Sequence, residues 1–570
     1  MAKSAAVFMG LIVSRYIGTS MRVLILLAAA LPAMGQLPTC SAPMWSPCDL
    51  VFELQAGEDP ASAQLRGDFR SPHKDTKTIR AFREGNALVL RFTPDEVGEW
   101  DYRLTSSVKR LDAQIGKATG TASTAPGFVR TANIHHFQTA NLQPHLWMGS
   151  AIENFVGLTR AEFETAVAAR AAEKFTHLRV MIEPNADLKE AAARIRVIHD
   201  RGMVTDLVLG VIPEDRRERE RYITEIAARF SAFNLTWAGV PAFERVKNAR
   251  VVLREAGELL TTLDPYKHVR TSMAEGTSSP LISDKWMNVL SYGTADPNVG
   301  AVEHQLTKMP GINAGINTRA DLWNATMNGQ YPSSGAGREF AVWFELMSKT
   351  RYWEMEPYFD VSGGRAIAVR EGVGVYGDDE SSVEYLMYID KPGPVEVAVD
   401  DQKYDVFWIN PANGERVVAK NYKGKSFAAE PPDKSHDWLL HLSREGHKAG
   451  LSKYKFESRR IIMQTAETNP NNLPFEIDAP TGDISMRSPS FYSLKTLRAT
   501  RATRDLLVVW TADLASSNEG GRMVGVGKEG TLHLPASFAE KLPGVLSLRV
   551  SVLNANGKAY VIDRAYKLVP

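Results

Sequence analysis

Acidic side chains follow several apolar segments that the sequence pattern predicts to be parallel strands. Glu183 follows the second predicted strand, Glu244 the fourth, Glu275 the fifth and Asp296 the sixth. In a barrel the carboxyl ends of all strands lie at one face, so these four carboxyl groups are expected on the same side of the molecule. A protonated and an ionised carboxyl that flank a glycosidic bond, about 5 Å or roughly 6.5 to 9.5 Å apart, can hydrolyse it.

Glu244 is the predicted proton donor, because the seventh predicted strand, around Asn313, has no acidic side chain. Glu183 or Asp296 is the predicted partner. The nearby ring of Trp237 would raise the pKa of the donor by excluding water.

Each of these acids also has a structural interpretation, which stays open. Glu183 can cap the helix that is predicted to start near Asp187. Glu244 begins a predicted helix that runs to Leu263, where its charge suits the helix dipole. Asp296 precedes a proline and a further predicted helix, the usual place of an N-cap.

Four aromatic side chains fall at predicted strand ends. There a ring can stack on the apolar face of a sugar, and packing in the core is the alternative interpretation. These predicted substrate-binding residues are Trp147, Trp237, Tyr292 and Tyr331.

Other chemistries lack support in the sequence. The signatures of serine hydrolases, of phosphate-binding loops and of zinc proteases are missing. His135 and His136 are adjacent, and neighbours on a strand point to opposite faces, so no metal and no cofactor are expected. With 67 basic against 66 acidic residues and no basic block, nucleic acid is not an expected partner.

The N-terminus is predicted to be a signal peptide over residues 1–35. Arg22 precedes the apolar run VLILLAAAL (23–31) and the small-residue site AMG (33–35), and either Met1 or Met21 can be the start. A membrane anchor is the alternative, but the apolar run is too short to span a bilayer comfortably. We therefore expect a secreted or periplasmic protein without a membrane partner after cleavage.

The chain has two cysteines, Cys40 and Cys48, just after this segment. A local disulfide suits an oxidising compartment, and two free thiols are the alternative. The sequence therefore predicts a short disulfide-closed loop at the start of the mature chain.

The pattern of apolar residues divides the remaining chain into four parts. Residues 37–130 alternate like the strands of a β-sandwich, and residues 131–362 alternate apolar runs with amphipathic helices. The second part predicts a (β/α)8 barrel, with a doubly wound sheet as the alternative. A β-sandwich over 363–442, a linker over 443–455 and a β-domain over 456–570 follow.

Several segments resemble the apiosidase-like glycoside hydrolases, the group that carries DUF5060 and DUF4038 modules. The resemblance covers residues 50–442 and rests on FTPDEVGEWDY (92–102), PGFVR (126–130), WMG (147–149), LWNATMNGQY (322–331), WEMEPYF (353–359) and FWINPANG (407–414). It implies a sandwich, a TIM-like barrel and a second sandwich, with carbohydrate as the partner.

Two functional hypotheses follow. The first is an exported glycoside hydrolase-like protein that cleaves polysaccharide side chains with two carboxyl groups. The second is a non-catalytic carbohydrate-binding or scaffold protein, because the related barrels usually carry acids on the fourth and seventh strands and the seventh strand here has none. The sequence gives no indication of the oligomeric state.

Overall fold

A computed structural model describes residues 37–183, 185–369, 383–444, 463–515 and 521–570. Residues 38–570 form one unit. The predicted signal peptide, most of the predicted linker and the first residues of the predicted last domain lie outside the described residues. Among the helices in these ranges, none is both long and apolar enough to cross a membrane.

The N-terminal region consists of two packed sheets. Their orders are β1-β8-β7-β3-β4 and β2-β6-β5. Phe69 of the first sheet stacks on Phe92 of the second, with ring centroids 4.4 Å apart. The strands are β1 (Cys40–Pro43), β2 (Cys48–Glu53), β3 (Leu65–Arg70), β4 (Thr76–Arg80), β5 (Phe82–Glu84), β6 (Ala87–Phe92), β7 (Gly98–Ser106) and β8 (Ile115–Thr121).

A hairpin of β9 (Val129–Ala132) and β10 (His136–Thr139) leads into parallel strands, which pair in sequence order as β11-β12-β13-β14-β15 and β16-β17-β18. β13 is buried along its whole length, as expected for a strand covered on both faces. The parallel strands are β11 (Gly149–Ala151), β12 (His177–Ile182), β13 (Val204–Leu209), β14 (Leu235–Ala238), β15 (Val269–Thr271), β16 (Leu290–Tyr292), β17 (Gly311–Asn313) and β18 (Gln330–Pro332).

Helices alternate with these strands, and polar caps fix where several of them begin. Thr159 and Glu162 form a capping box at α1, and the carboxylates of Asp187 and Asp215 accept the first amides of α2 and α3. The helices are α1 (Arg160–Ala172), α2 (Leu188–Asp200), α3 (Arg216–Phe230), α4 (Ala249–Leu263), α5 (Pro297–Leu306), α6 (Arg319–Met327) and α7 (Arg338–Met347).

Two contacts join the parallel sheets to each other. The amide of Asn288, just before β16, donates to the carbonyl of Arg270 in β15 at 3.0 Å. At the other junction the hydroxyl of Ser150 in β11 donates to the carbonyl of Gly335 at 2.6 Å. A side chain at Gly149 would meet the backbone of Ser333 at 2.9 Å, so β11 and the end of β18 approach closely.

A third region is one eight-stranded sheet in the order β19-β21-β22-β26-β23-β20, with β24 and β25 paired to β23. The predicted boundary at residue 363 falls inside this sheet, because the short strands before it pair with later ones. The strands are β19 (Glu356–Tyr358), β20 (Val361–Ser362), β21 (Arg365–Val369), β22 (Glu384–Ile389), β23 (Val395–Ile409), β24 (Arg416–Val418), β25 (Tyr422–Ala429) and β26 (Trp438–Arg444).

The last region has two sheets, ordered β27-β29-β32 and β28-β34-β33-β30-β31. Val299 and Val302 of α5 share a buried cluster with Val509 and Leu553 of this region. The elements are β27 (Phe475–Asp478), β28 (Ile484–Ser485), β29 (Phe491–Thr496), α8 (Arg501–Arg504), β30 (Leu507–Leu514), β31 (Arg522–Val526), β32 (Glu529–Thr531), β33 (Gly544–Leu553) and β34 (Ala559–Val569).

Candidate functional site

Glu244 lies in the loop that follows β14, at the carboxyl edge of the parallel strands. The predicted helix start is corrected here: Glu244 occupies a separate 3-10 turn, Phe243–Arg245, and α4 begins only at Ala249. Its carboxylate accepts the backbone amides of Glu275 at 3.0 Å and Gly276 at 3.3 Å. Glu244 therefore links the loop after β14 to the loop after β15.

The surroundings of Glu244 favour its protonated form. Burial raises the pKa of this half-buried carboxyl, and the charge of Glu275 raises it further, whereas the backbone hydrogen bonds act in the opposite direction. A glutamate with a raised pKa holds its proton at a higher pH than a solvated one. It can therefore act as a general acid.

The side chain of Glu275 differs in environment from Glu244. It is 41% exposed and forms an ion pair with the guanidinium of Arg245, which stands next to Glu244. The two loops thus bring together one shielded carboxyl and one exposed, charge-paired carboxylate. Such a division of environments separates acid and base roles in carboxyl pairs.

Asp296 and Glu183, the two predicted partners of Glu244, lie in environments that differ from the predicted one. Asp296 is the N-cap of α5, and its Oδ1 accepts the backbone amide and the side-chain amide of Asn298 at 2.8 and 2.9 Å. This geometry fits the structural interpretation of Asp296. Glu183 is exposed at the end of β12. Glu275 contacts Glu244 through its backbone amide.

The placement of the four aromatic residues is corrected by the structure. Their exposed fractions are 0% for Trp147, 1% for Trp237, 2% for Tyr292 and 5% for Tyr331. The ring of Trp147 stacks on His177 at 3.5 Å, so neither presents a free face. These rings pack inside the protein and offer no open surface for a sugar.

Trp237 shows the physical reason for this correction. Side chains alternate along β14, so Thr236 lines the interior of the parallel strands while Trp237 faces the surrounding helices. Its Nε1 donates to Asp264 at 3.0 Å. The predicted effect of this ring on the pKa of Glu244 therefore has no contact to support it.

A polar layer inside the parallel strands was missed by the sequence analysis. Arg179, Asp206, Thr271 and Ser291 line a cavity with room for about one water molecule. Asp206 accepts from Nδ1 of the buried His177 at 2.8 Å. The sequence contains a signal for this polar layer, because the charged residues Arg179 and Asp206 lie within the mostly apolar strands β12 and β13.

Glu303 on α5 is a second buried carboxyl. It is 4% exposed and bonds to the hydroxyls of Thr277 and Ser279. Burial raises the pKa of Glu303 to about 7, against the effect of these two hydrogen bonds. Its burial keeps it from a substrate, so we assign it no step in catalysis.

Histidines surround one carboxylate at the start of β19. Nδ1 of His135 lies 3.0 Å, and Nε2 of His304 2.6 Å, from Oε2 of Glu356, and Nε2 of His136 lies 3.3 Å from Oε1. Burial lowers the pKa of His304 to about 4. Burial works to raise the pKa of Glu356, but the charges of His135 and His304 outweigh it and hold that pKa well below its usual range.

The expectation that His135 and His136 cannot act together is wrong in its premise. His135 does not lie on a strand but in the turn between β9 and β10, which begins with Asn133 and Ile134 at φ values of 43° and 64°. The alternation of strand side chains does not apply across this turn. Both imidazoles reach the same carboxylate, and the group His135, His304 and Glu356 has the composition of a metal site.

The two cysteines lie near the start of the described chain. The structure joins Cys40 and Cys48 in a disulfide, with Cα atoms 6.1 Å apart. The bridge connects the starts of β1 and β2, which belong to different sheets.

Comparisons with known proteins address the fold and one domain. Residues 41–107 match the model of DUF5060, a domain of unknown function. A crystal structure from Bacteroides vulgatus ATCC 8482, described as "a putative glycoside hydrolase", is similar with a TM-score of 0.59 at 15% identity, over 71% of this chain and 100% of that one. A family 5 glycoside hydrolase from the same organism covers 58% of this chain and 94% of its own, at 14% identity and a TM-score of 0.46.

No curated protein matches the sequence significantly. The DUF5060 match supports the resemblance noted for the first sandwich, and the structural likeness supports a mixed α/β fold of the glycoside hydrolase type. The chain therefore has a segment that matches DUF5060, and its fold is similar to that of a glycoside hydrolase.

Proposed function

We propose that this chain is an exported glycoside hydrolase-like enzyme in which Glu244 is the proton donor and Glu275 its carboxylate partner. The observation that carries the proposal is the hydrogen bond from the backbone amide of Glu275 to the carboxylate of Glu244, which places both residues at the carboxyl edges of β14 and β15. Of the two, Glu244 has the raised pKa and Glu275 has the cationic neighbour.

The proposed chemistry needs one proton and one negative charge. Glu244 gives its proton to the glycosidic oxygen as the bond to the departing sugar breaks. Glu275, which forms an ion pair with Arg245, either attacks the sugar carbon or activates a water. Arg245 is thus a positioning residue, because it acts through Glu275.

The arrangement of the parallel strands supports a (β/α)8 barrel as the scaffold. The strands pair in sequence order within two sheets, and contacts at Arg270 and at Ser150 join these sheets at both junctions. In such a barrel the loops after the strands form the active site. Both proposed residues lie on loops of this kind, and the proposed substrate is a carbohydrate.

Export is part of the proposal. Its support is the apolar run at 23–31 together with the disulfide between Cys40 and Cys48, which requires an oxidising environment. We propose cleavage near residue 36 and a secreted or periplasmic location.

A non-catalytic carbohydrate-binding or scaffold protein is the second candidate. The observation in its favour is Asn313 at the end of β17, where related barrels carry an acid. Asn313 is fully buried, and its Nδ2 donates to the carbonyl of Thr294 at 3.0 Å and to Oε1 of Gln330 at 2.9 Å. This side chain is engaged in packing and cannot replace a catalytic carboxylate.

A panel of plant and microbial oligosaccharides separates the two candidates when sugar release and binding are measured together. We expect the wild type to release sugar, and E244Q and E275Q to bind the same oligosaccharide but to lose turnover. Glu258 on the outer face of α4 is exposed, so E258Q is the matched control and should retain activity. Binding without cleavage by the wild type would refute the catalytic proposal and favour the scaffold.

A further inference from the structure

Three segments that are distant in sequence meet at the carboxylate of Glu356. His135 comes from the turn between β9 and β10, His304 from the last turn of α5, and Glu356 from the first position of β19. The three histidines of this cluster, with His136, are 2 to 4% exposed. The side chain of Glu356 is 24% exposed, so three buried imidazoles surround a partly buried carboxylate.

The distances in the cluster are those of a compact coordination sphere. One ligand atom from each of His135, His304 and Glu356 lies within 4.8 Å of the other two. With bonds of about 2.1 Å, neighbouring ligands of a tetrahedral zinc ion are about 3.4 Å apart. The contacts of 3.0 and 2.6 Å to Oε2 of Glu356 need to open by less than about 1 Å to admit the ion.

The outer contacts orient two of the rings for coordination. Nε2 of His135 lies 2.7 Å from the carbonyl of Thr307, so this nitrogen carries a proton and Nδ1 faces Glu356. Nδ1 of His136 contacts the hydroxyl of Tyr331 at 2.6 Å, which turns its Nε2 toward Glu356. Metal-binding histidines are commonly fixed by a hydrogen bond from the second ring nitrogen to a carbonyl or other polar group.

Hydrogen bonding alone leaves this cluster incompletely satisfied. Nε2 of His136 is buried and has no partner in hydrogen-bonding geometry, although it lies 3.3 Å from Glu356. Such a group costs about 1 to 3 kcal/mol when it is left unsatisfied. A cation between the rings and the carboxylate would give this nitrogen a partner.

We propose that His135 Nδ1, His304 Nε2 and the carboxylate of Glu356 bind a zinc ion, and that Nε2 of His136, which lies 3.3 Å from the same carboxylate, moves onto the ion as the fourth ligand. Imidazole and carboxylate ligands suit Zn²⁺, and four protein ligands in a buried cluster are typical of a structural rather than a catalytic site. The ion would fix the hairpin and α5 to the first strand of the eight-stranded sheet. It takes no part in the proposed hydrolysis.

The test is metal binding by the full chain after treatment with a chelator. We expect one equivalent of zinc by elemental analysis and by calorimetric titration with ZnCl₂, and a higher melting temperature with zinc than without it. Cobalt should give the intense visible absorption of a tetrahedral site. H304Q should weaken zinc binding at least about 100-fold, since loss of an outer contact alone costs 10- to 100-fold.

His145 supplies the matched control, because it is a partly buried histidine that contacts His177 rather than Glu356. H145Q should bind one zinc as the wild type does. Uptake of no zinc by the wild type, or equal binding by H304Q and the wild type, would overturn the proposal. If H304Q does not fold, E356Q and the cobalt spectrum of the wild type decide, and an octahedral spectrum would count against the site.

Discussion

Asp264 ends α4 and connects the two strands that precede the proposed catalytic loops, so its substitution by asparagine is an informative perturbation. Its side chain is fully buried. It accepts from Nε1 of Trp237 in β14 at 3.0 Å, from the amide of Tyr266 at 3.0 Å, and from the amide and Nδ1 of His268 at 2.9 Å each. One carboxylate therefore satisfies four donors.

The expected cost of D264N follows from these contacts. Asparagine has one acceptor oxygen, so its amide group must face donors, and His268 loses its buried counter-charge. Removing one member of a buried ion pair typically costs about 3 to 5 kcal/mol. At about 1.4 kcal/mol per factor of ten, the local opening of β14 and β15 should become roughly two to four orders of magnitude more frequent.

The effect has a defined pH dependence. Burial works to raise the pKa of Asp264, but the charge and hydrogen bonds of His268 and the bond from Trp237 outweigh it, and the pKa is lowered. A carboxyl whose folded-state pKa lies below its unfolded value, about 3.9, stabilises the fold above that value. The difference between the wild type and D264N should persist at pH 7 and pH 5. It should shrink as the pH falls through the folded-state pKa.

Hydrogen exchange measured by mass spectrometry is the suitable assay, because global unfolding of a multidomain chain is not two-state. Peptides that cover residues 235–238 and 269–271 should exchange faster in D264N at pH 7. Asp563 pairs with Arg549 on the surface, so D563N is the control and should change stability by about 1 kcal/mol or less. An increase of less than tenfold in the exchange rates of these two peptides in D264N would refute this account of Asp264.

Three further outcomes are expected. Replacing Cys40 and Cys48 by serine should lower the free energy of local unfolding of the first sandwich by about 2.5 kcal/mol, measured by hydrogen exchange, because the bridge closes a loop with a sequence separation of 8. Gly257→Ala should lower stability by about 1 to 3 kcal/mol, because the added Cβ would lie 2.4 Å from the ring of Trp286. Gly482→Ala is the control, because an added Cβ there has no atom within 4 Å, and it should change stability by no more than about 0.5 kcal/mol in the same assay. Trp237→Phe should lower the melting temperature by removing a buried donor while leaving oligosaccharide binding unchanged; weaker binding at unchanged stability would restore the ring to the binding site.

The longer elements could be predicted from the sequence. The sequence predicts strands over residues 177–182 and 204–209, and β12 and β13 have these bounds, because each segment is mostly apolar and is covered on both faces. β18 gives only a weak signal in the sequence, since a three-residue strand that ends in proline has no periodic pattern. The first parallel strand is predicted over residues 146–148, whereas β11 begins at Gly149.

The candidate site could be predicted from the sequence less well than the fold, because it depends on local backbone conformation and on contacts between residues that are distant in the chain. Ala242, at a left-handed φ of 49°, precedes the 3-10 turn that carries Glu244, and Asn248, at 56°, separates this turn from α4. Contacts such as that of Glu356 with His135 join positions 221 residues apart. Only the assembled fold brings them together.

The most direct test of the proposed function measures the activity of E244Q on two substrates that differ only in their leaving group. An acid that protonates the departing oxygen matters for a sugar alcohol and hardly at all for a leaving group that departs as a stable anion, such as dinitrophenolate. We predict that E244Q loses about 10²- to 10⁴-fold in kcat on an oligosaccharide that the wild type cleaves, and retains bond cleavage on the dinitrophenyl glycoside of the same sugar. Equal losses on both substrates, or full activity on the oligosaccharide, would contradict the assignment of Glu244 as the proton donor.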